Sequence, residues 1–287
     1  MTQEKKVLLA VLAHPDDETF GAGGTLAYYA HQGVEVHLIC ATRGEVGDVD
    51  PEYMQGFTSV ADVRVSELRC AAGVLGLSGV HFLDYRDSGM PGSADNKHPQ
   101  ALAAAPINEV AAKIAHYFNL LRPQVVITFD PIGGYRHPDH IAIHQATVYA
   151  FDAVQKDPAA FPDGDGLAPY VPQKLYFQTI PHTMLKVAVG VGQFFGRDMR
   201  HFGRNKDIDL ASITEVDFPI HARINFSSVS QLRDQASACH ASQGGRQQSR
   251  GVMGIMRRLF GARETYMRSF PPPVRGRVEN DLFEGIN

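Results

Sequence analysis

VLLAVLAHPDDE, residues 7–18, is an apolar run that ends in ionisable side chains. The apolar part predicts a buried strand, and the following GAGG, residues 21–24, with the helical pattern of residues 25–31 predicts a turn into a helix. In an open α/β sheet, ligands bind where strands end. A histidine followed closely by two acids can supply metal ligands and a general base there. We therefore expect a functional site at the end of the first strand.

A second cluster of the same kind, YRHPDH at residues 135–140, follows an apolar run at residues 125–129. Between the clusters, apolar runs alternate with helical patterns, which predicts a Rossmann-like α/β fold: a mostly parallel sheet with helices on both faces. If the strands follow the doubly wound order 3-2-1-4, the first and fourth strands are neighbours and both clusters lie in one crevice. Further strands are predicted at 34–41, 80–85, 174–180 and 222–226, and helices at 59–77, 106–121, 138–154, 184–199 and 228–241.

The glycines after the first strand do not predict a dinucleotide site. Gly21 and Gly23 match the first two positions of Gly-x-Gly-x-x-Gly, but the third position is Leu26. The polar residues before them also lengthen a turn that a pyrophosphate needs short. We therefore reject a nucleotide-binding Rossmann site.

The composition is that of an ordinary globular chain. With 287 residues, of which 44% are hydrophobic, it can form one large domain. The net charge of -4 gives no reason to expect nucleic acid as a partner. Cys40, Cys70 and Cys239 are too few and too scattered for a disulfide framework, which favours a reducing, cytoplasmic compartment. No apolar run predicts a transmembrane helix.

The chain divides by composition into three parts. Residues 1–156 hold both clusters and form the predicted catalytic core. Residues 157–245 continue the same domain as a more irregular, substrate-side lid. Residues 246–287 are rich in arginine, with eight arginines and only Glu264 as an acid up to Arg277. For this segment a basic or mobile surface, a lid, and a weak contact to anions or lipid all stay open, as does the formation of oligomers.

The two clusters together resemble the LmbE-like, or PIG-L, family of metal-dependent N-deacetylases. Within it, the chain is most similar to the mycothiol-pathway deacetylase and conjugate amidase branch, because Tyr-x-His-Pro-Asp-His at residues 135–140 and YRDSGM at residues 85–90 both occur. The resemblance covers about residues 5–150. After Glu18, TFGAGG at residues 19–24 has the general form of the wider family instead. The resemblance therefore implies a substrate class and not one compound.

The resemblance implies a site for a divalent ion held by His14, Asp17 and His140. Zinc is the default, and other divalent transition metals are alternatives, because two imidazoles and a carboxylate suit several ions. Asp16 matches the family's general base, which takes a proton from water acidified by the ion. The alternative for Asp16 is a helix N-cap, and for the two histidines structural hydrogen bonds.

The resemblance also assigns residues to the oxyanion and to the sugar. His137 matches the family's histidine that stabilises the tetrahedral oxyanion or protonates the leaving amine. Asp139 matches the residue that orients this histidine, and Tyr135 matches a tyrosine that helps to stabilise the same oxyanion. Arg64 and Asp87 lie where relatives contact sugar hydroxyls. Packing, turn or surface roles stay open for Tyr135, Asp87 and Arg64. Glu18 and His144 are expected to have supporting or structural roles. His240 begins a His-x-x-Gln also seen late in relatives, but this short match assigns it no role.

The sequence thus predicts a zinc-dependent hydrolase that deacetylates the nitrogen of a small-molecule amino sugar, such as an N-acetylglucosamine glycoside. Three alternatives stay open: an amidase that cleaves a thiol–sugar conjugate, a deacetylase of lipid-linked N-acetylglucosamine, and a binding module without turnover. The presence of Asp16 and His137 disfavours the binding module, because it needs neither a base nor an oxyanion partner.

Overall fold

The computed structural model describes residues 5–162, 164–179, 216–248 and 262–286, together with residues 186, 189, 190 and 192. The predicted helix at 184–199 therefore lies almost entirely outside the described residues. The strands are β1 Val7–Leu12, β2 Glu35–Cys40, β3 Gly79–Phe82, β4 Val125–Thr128, β5 Lys174–Thr179, β6 Ala222–Asn225 and β7 Arg263–Phe270. They form one sheet in the order β3-β2-β1-β4-β5-β7-β6. Strands β1 to β5 pair in parallel and β7 runs antiparallel to β5 and β6, so the predicted mostly parallel α/β sheet is confirmed.

Local signals explain where the helices begin and end. Ser59 precedes helix α3 (Val60–Leu75), where its hydroxyl accepts the N–H of Asp62 at 3.1 Å, and Gly76 ends this helix with φ 77°. Pro138 begins helix α6 (Pro138–Lys156), at a position where the N–H that proline lacks would have no partner within the helix. No described helix is long and apolar enough to cross a membrane. The helices are α1 Asp17–Phe20, α2 Gly23–His31, α3 Val60–Leu75, α4 Ile107–Leu121, α5 Gly133–Arg136, α6 Pro138–Lys156, α7 Ser230–Cys239 and α8 Gly245–Gln248.

The pairing of β1 with β4 brings the two polar clusters together. Leu8 pairs with Val125 and Ala10 with Ile127. Both strands are buried along their whole length, as expected for apolar runs covered on both faces of a parallel sheet. Because parallel strands end at the same edge, the residues that follow β1 and β4 meet there. The predicted strand order 3-2-1-4 is confirmed.

The C-terminal part contributes a strand that the sequence analysis did not predict. Strand β7 lies between β5 and β6, within the arginine-rich residues 246–287. Beyond it, Glu279 accepts hydrogen bonds from Lys174 Nζ at 3.0 Å and Tyr176 Oη at 2.6 Å, and Leu282 is fully buried. The described portion of this segment is therefore integral to the sheet.

A disulfide joins α3 to α7. Cys70 and Cys239 are bonded, with Cα atoms 5.8 Å apart across a sequence separation of 169. The bond lies beside a second hydrophobic cluster, shared by α2, α3 and α7, which includes Ala71 and Phe226. Cys40 is a buried free thiol. The described residues hold no framework of disulfides, but two of the three cysteines are cross-linked, so a reducing compartment does not follow from the cysteine content.

We expect this disulfide to stabilise the fold. Replacing Cys70 and Cys239 by serine opens a long loop in the unfolded chain and is expected to lower the free energy of unfolding by about 2–4 kcal/mol, measured by guanidinium unfolding. Thiol titration of the unfolded wild type is the control. One reactive thiol before reduction and three after it are expected, whereas three thiols without reduction would contradict the cross-link.

Candidate active site

The two polar clusters meet at the carboxyl ends of β1 and β4. The chain leaves β1 at Leu12 and supplies His14 and Asp17 within the next turn. It leaves β4 at Thr128 and supplies His140 from the first turn of α6. The side chains of His14, Asp17 and His140 are buried. The structure thus brings together the three residues for which the resemblance implies metal binding.

The donor atoms of these three residues lie close together, and each imidazole faces a different oxygen of Asp17. Nδ1 of His14 lies 3.2 Å from Nε2 of His140 and 3.5 Å from Oδ2 of Asp17. Nε2 of His140 lies 3.2 Å from Oδ1 of Asp17. Tetrahedral zinc, with ligand bonds of about 2.0–2.1 Å, places its ligand atoms about 3.3 Å apart. The triplet therefore fits a divalent transition ion.

Hydrogen bonds determine which nitrogen each imidazole presents. Nδ1–H of His140 donates to the carbonyl of Gly133 at 3.1 Å, which leaves the lone pair on Nε2. Nε2–H of His14 donates to Asp139 at 3.1 Å and lies 3.5 Å from Asp87, which leaves the lone pair on Nδ1. When both rings are neutral, two lone pairs face each other across 3.2 Å, and a proton or a metal ion between them would relieve their repulsion.

The charges around His14 also favour a cation. Burial alone would lower the pKa of His14, but Asp87, Asp139 and Asp17 raise it well above its usual range. Burial would raise the pKa of Asp17, but His140 and His14 hold it well below its usual range, so Asp17 stays a carboxylate. A bound metal ion would supply the positive charge that the proton on His14 otherwise supplies.

Two other triplets among the described residues bring one donor atom from each member within 4.8 Å of the others, and neither contains Asp17, which turns a different oxygen to each imidazole. Each contains a group that already has hydrogen-bond partners. Nδ1 of His137 accepts the N–H of Asp139 at 3.2 Å, and Asp139 itself accepts the N–H of Ser88 at 2.9 Å. We therefore favour His14, Asp17 and His140. The other triplets are His14 with His137 and His140, and His14 with Asp87 and Asp139.

Asp16 stands beside these three residues, and its carboxylate can accept a proton. Oδ2 of Asp16 accepts a hydrogen bond from Nη2 of Arg64 at 3.1 Å. Burial raises the pKa of Asp16 to about 6, against the opposing charge of Arg64. A pKa near neutrality suits a general base. The alternative role as an N-cap is not what the contacts show, because the Asp16 side chain makes no cap hydrogen bond to α1.

His137 is a buried, neutral hydrogen-bond donor. Burial, together with His14 and His140, lowers the pKa of His137 to about 2. Because its Nδ1 accepts the N–H of Asp139, the neutral ring carries its proton on Nε2. The ring packs edge-on against that of His14, with centroids 4.6 Å apart. His137 can therefore donate to an oxyanion, but it is not a cationic acid.

Asp139 and Asp87 lie in the site with contacts that differ from the expected ones. The carboxylate of Asp139 binds His14 and accepts from both the N–H and the hydroxyl of Ser88, and only its backbone N–H contacts His137. Burial would raise the pKa of Asp87, but His14 lowers it. Both carboxylates thus orient His14. A catalytic role for Asp139 and a sugar contact for Asp87 stay predictions.

Arg64 and Tyr135 are the remaining predicted site residues. Arg64 is buried and donates to the carbonyls of Gly44 at 3.1 Å and Pro15 at 2.6 Å, so it holds the loops around Asp16. The ring centroid of Tyr135 lies 5.0 Å from that of His140. Burial raises the pKa of Tyr135, so its hydroxyl keeps its proton. Their roles toward substrate stay predictions.

The sequence analysis missed three residues that hold the histidines. Ser88, within the quoted YRDSGM, is fully buried against Asp139. Phe129, the last residue of an apolar run, stacks on the His140 ring with centroids 3.9 Å apart and an interplanar angle of 9°. Gly133 has φ 66°, and a Cβ there would lie 2.8 Å from Cβ of His140. In the sequence, these three residues could have been found only by their positions within or next to the quoted motifs and apolar runs.

Comparison with known proteins adds a family and close relatives. Residues 9–151 match the model of the family PIG-L: GlcNAc-PI de-N-acetylase. The 1D-myo-inositol 2-acetamido-2-deoxy-alpha-D-glucopyranoside deacetylase of Acidothermus cellulolyticus is 34% identical over 98% of this chain and 95% of its own length. The protein of the same name from Thermomonospora curvata is 33% identical over 100% of this chain and 99% of its own length.

Solved structures share the fold. The N,N'-diacetylchitobiose deacetylase of Pyrococcus horikoshii superposes with a TM-score of 0.62 at 20% identity, over 92% of this chain and 84% of that chain. The conserved protein TT1542 of Thermus thermophilus superposes with a TM-score of 0.61 at 23% identity, over 93% and 95%. At these identities the likeness concerns the fold alone.

We expect the purified protein to bind one equivalent of a divalent transition metal ion through the favoured triplet. His140→Ala is expected to lose that ion on gel filtration, because it removes one of the facing lone pairs, and elemental analysis measures the loss. His144→Ala is the matched control, since His144 is a buried histidine one turn further along α6 whose Nδ1 contacts the Phe129 carbonyl instead. Equal metal content in the two variants would contradict the assignment.

Proposed function

The chain belongs to the PIG-L family of GlcNAc-PI de-N-acetylases, and on that premise we propose that it is a metal-dependent hydrolase that releases acetate from an N-acetylglucosamine glycoside. The observation that carries the proposal is the pair of imidazole nitrogens, 3.2 Å apart beside a carboxylate, with Asp16 next to them. That arrangement suits water-dependent cleavage of an amide bond.

His14, Asp17 and His140 would hold the ion. Bound there, a divalent ion such as zinc polarises the amide carbonyl and acidifies a water molecule. Asp16 accepts the proton of the attacking water, and its raised pKa lets it pass that proton to the departing amine nitrogen. Water and amide are thus converted to acetic acid and free amine, which become acetate and an ammonium group by proton exchange with water, and Asp16 returns to its carboxylate form.

His137 stabilises the negative charge that develops on the amide oxygen. Its Nε2–H is the available donor, because Nδ1 is already occupied by the N–H of Asp139. The low pKa of His137 keeps it neutral, so it acts by hydrogen bonding and leaves the proton transfers to Asp16. The protonated hydroxyl of Tyr135 is the proposed second donor.

The named activity of the relatives supports an inositol-linked substrate. Both curated relatives described above deacetylate 1D-myo-inositol 2-acetamido-2-deoxy-alpha-D-glucopyranoside by name, which is N-acetylglucosamine joined to inositol. We propose the same substrate class for this chain. Arg64 and Asp87, which adjoin Asp16 and His14, are the proposed sugar contacts.

We expect the metal-loaded protein to release amine from N-acetylglucosaminyl inositol, to stop after chelation and to recover with zinc. Asp16→Asn is expected to lower kcat by about 10²–10⁴-fold while retaining the metal, because it removes the base and no ligand. Amine labelling measures both. Turnover only with a thiol conjugate or a lipid-linked sugar would replace the substrate class, and an active Asp16→Asn would overturn the role of Asp16.

We also expect the rise of kcat/KM on the acidic side of its pH profile, here called the acid limb, to depend on the interaction between Asp16 and Arg64. The base works unprotonated, so activity rises with pH through its pKa, and the guanidinium lowers that pKa. Arg64→Gln should therefore shift the limb to higher pH by about one unit or more. The control is Arg69→Gln, because Arg69 is an exposed arginine on α3, the helix that also carries Arg64. This variant should leave the acid limb at the same pH. A limb that moves equally in both variants, or in neither, would contradict this coupling.

A further inference from the structure

Asp16 has a backbone conformation that a non-glycine residue rarely adopts. Its φ is 120° and its ψ is -28°. Such a conformation costs on the order of 1–3 kcal/mol and persists only where surrounding contacts impose it. It lets two adjacent carboxylates diverge, with Asp17 toward His140 and Asp16 toward Arg64. The contacts that hold this backbone therefore also aim the proposed base.

The N–H of Asp16 is held by a carboxylate from its own turn. It donates to Oε2 of Glu18 at 2.9 Å, while the carbonyl of Asp16 accepts the N–H groups of Thr19 and Phe20 at 3.0 and 2.9 Å. Glu18 is fully buried. A buried carboxylate is costly unless further donors satisfy it, so Glu18 needs a second partner to stay in this place.

His240 supplies that second partner from the other end of the chain. Its Nε2 lies 2.6 Å from Oε1 of Glu18, and both side chains are fully buried. Nδ1 of His240 is buried and has no hydrogen-bond partner among the described residues, so its imidazole makes its polar contact there with Glu18. The ring also packs edge-on toward Phe20, at a centroid distance of 6.0 Å.

The chain on both sides of His240 is fastened to α3. Before it, Cys239 is bonded to Cys70 of α3. After it, the N–H and hydroxyl of Ser242 each bind the carboxylate of Glu67, also on α3, at 2.7 Å. The same helix carries the arginine that contacts the Asp16 carboxylate. One helix thus holds Asp16 at its side chain directly and at its N–H through His240 and Glu18.

We propose that His240 is a positioning residue for the base: it anchors Glu18, and Glu18 holds the backbone of Asp16 in the conformation that aims its carboxylate away from the metal ligands. This inference rests on the proposed function for its catalytic consequence. Its structural part, in which His240 contacts Glu18 and Glu18 accepts the N–H of Asp16, rests on the contacts alone.

The test compares two neutral amides at position 240. The amide nitrogen of Gln lies about where Nε2 of histidine lies, whereas that of Asn lies near Nδ1 and does not reach Glu18. His240→Gln should keep most of the activity. His240→Asn should lower kcat by about ten- to a hundredfold with KM and metal content little changed. Because both variants lose any imidazole charge, charge does not distinguish them.

The hydrogen-exchange rate of the Asp16 backbone amide, measured by NMR, tests the hydrogen bond from that N–H to Glu18 without any substrate. Exchange should be about tenfold faster in His240→Asn than in wild type or His240→Gln. Glu18→Gln is the second variant, since it offers one acceptor to two donors and should behave like His240→Asn. Ala236→Gly, which loosens buried packing on α7 without touching the pair, should lower the melting temperature and leave both readouts unchanged.

The outcomes separate the inference from the proposed function. Equal activity and equal Asp16 exchange in the Gln and Asn variants, or changes that Ala236→Gly reproduces at matched stability, would overturn the positioning role. If wild type releases no amine while the exchange pattern holds, the proposed function fails and the positioning of Asp16 stands. If wild type is active and the exchange is unaffected by both His240→Asn and Glu18→Gln, only the positioning fails.

Discussion

Buried carboxylates in the segments that follow β1, β3 and β4 set the constraint that the rest of the site must satisfy. Asp17, Glu18, Asp87 and Asp139 are each less than a tenth exposed. Each would cost on the order of several kcal/mol if left without partners. Imidazoles and backbone N–H groups from separate parts of the chain therefore converge on them. The same convergence sets the tautomers of the histidines, so the packing that satisfies the carboxylates also prepares the site for a cation.

The second half of the chain completes this arrangement. The family model matches residues 9–151, yet the curated relatives align over nearly the whole chain. In the structure, two contacts reach the turn after β1 from the C-terminal half. His240 binds Glu18, and Glu264 on β7 accepts the N–H groups of Gly24 and Thr25 at 2.9 and 2.7 Å at the start of α2. Both contacts hold the turn that follows β1, which carries the proposed base and two of the three proposed metal ligands.

Sequence patterns were sufficient for elements with strong, local signals. Apolar runs bounded by polar clusters predicted β1 and β4, and alternation with helical patterns predicted the parallel sheet, whose first four strands have the doubly wound order that was considered. Strand β7 was missed because its sequence, RETYMRSF, mixes charges with aromatics, and its place between β5 and β6 depends on long-range pairing. The disulfide was missed for the same reason, since a separation of 169 residues says nothing about proximity.

The sequence alone determined the parallel α/β fold and the chemistry of the two clusters. A strand end rich in His and Asp is a local signal, and few kinds of site other than metal or acid–base sites have it. The tertiary structure decided which atoms face one another. It placed Asp139 on His14 where the motif suggested His137, and it brought His240 to Glu18 across 222 positions. These pairings depend on the strand order and on helix packing. No local pattern encodes the distance between residues so far apart in sequence.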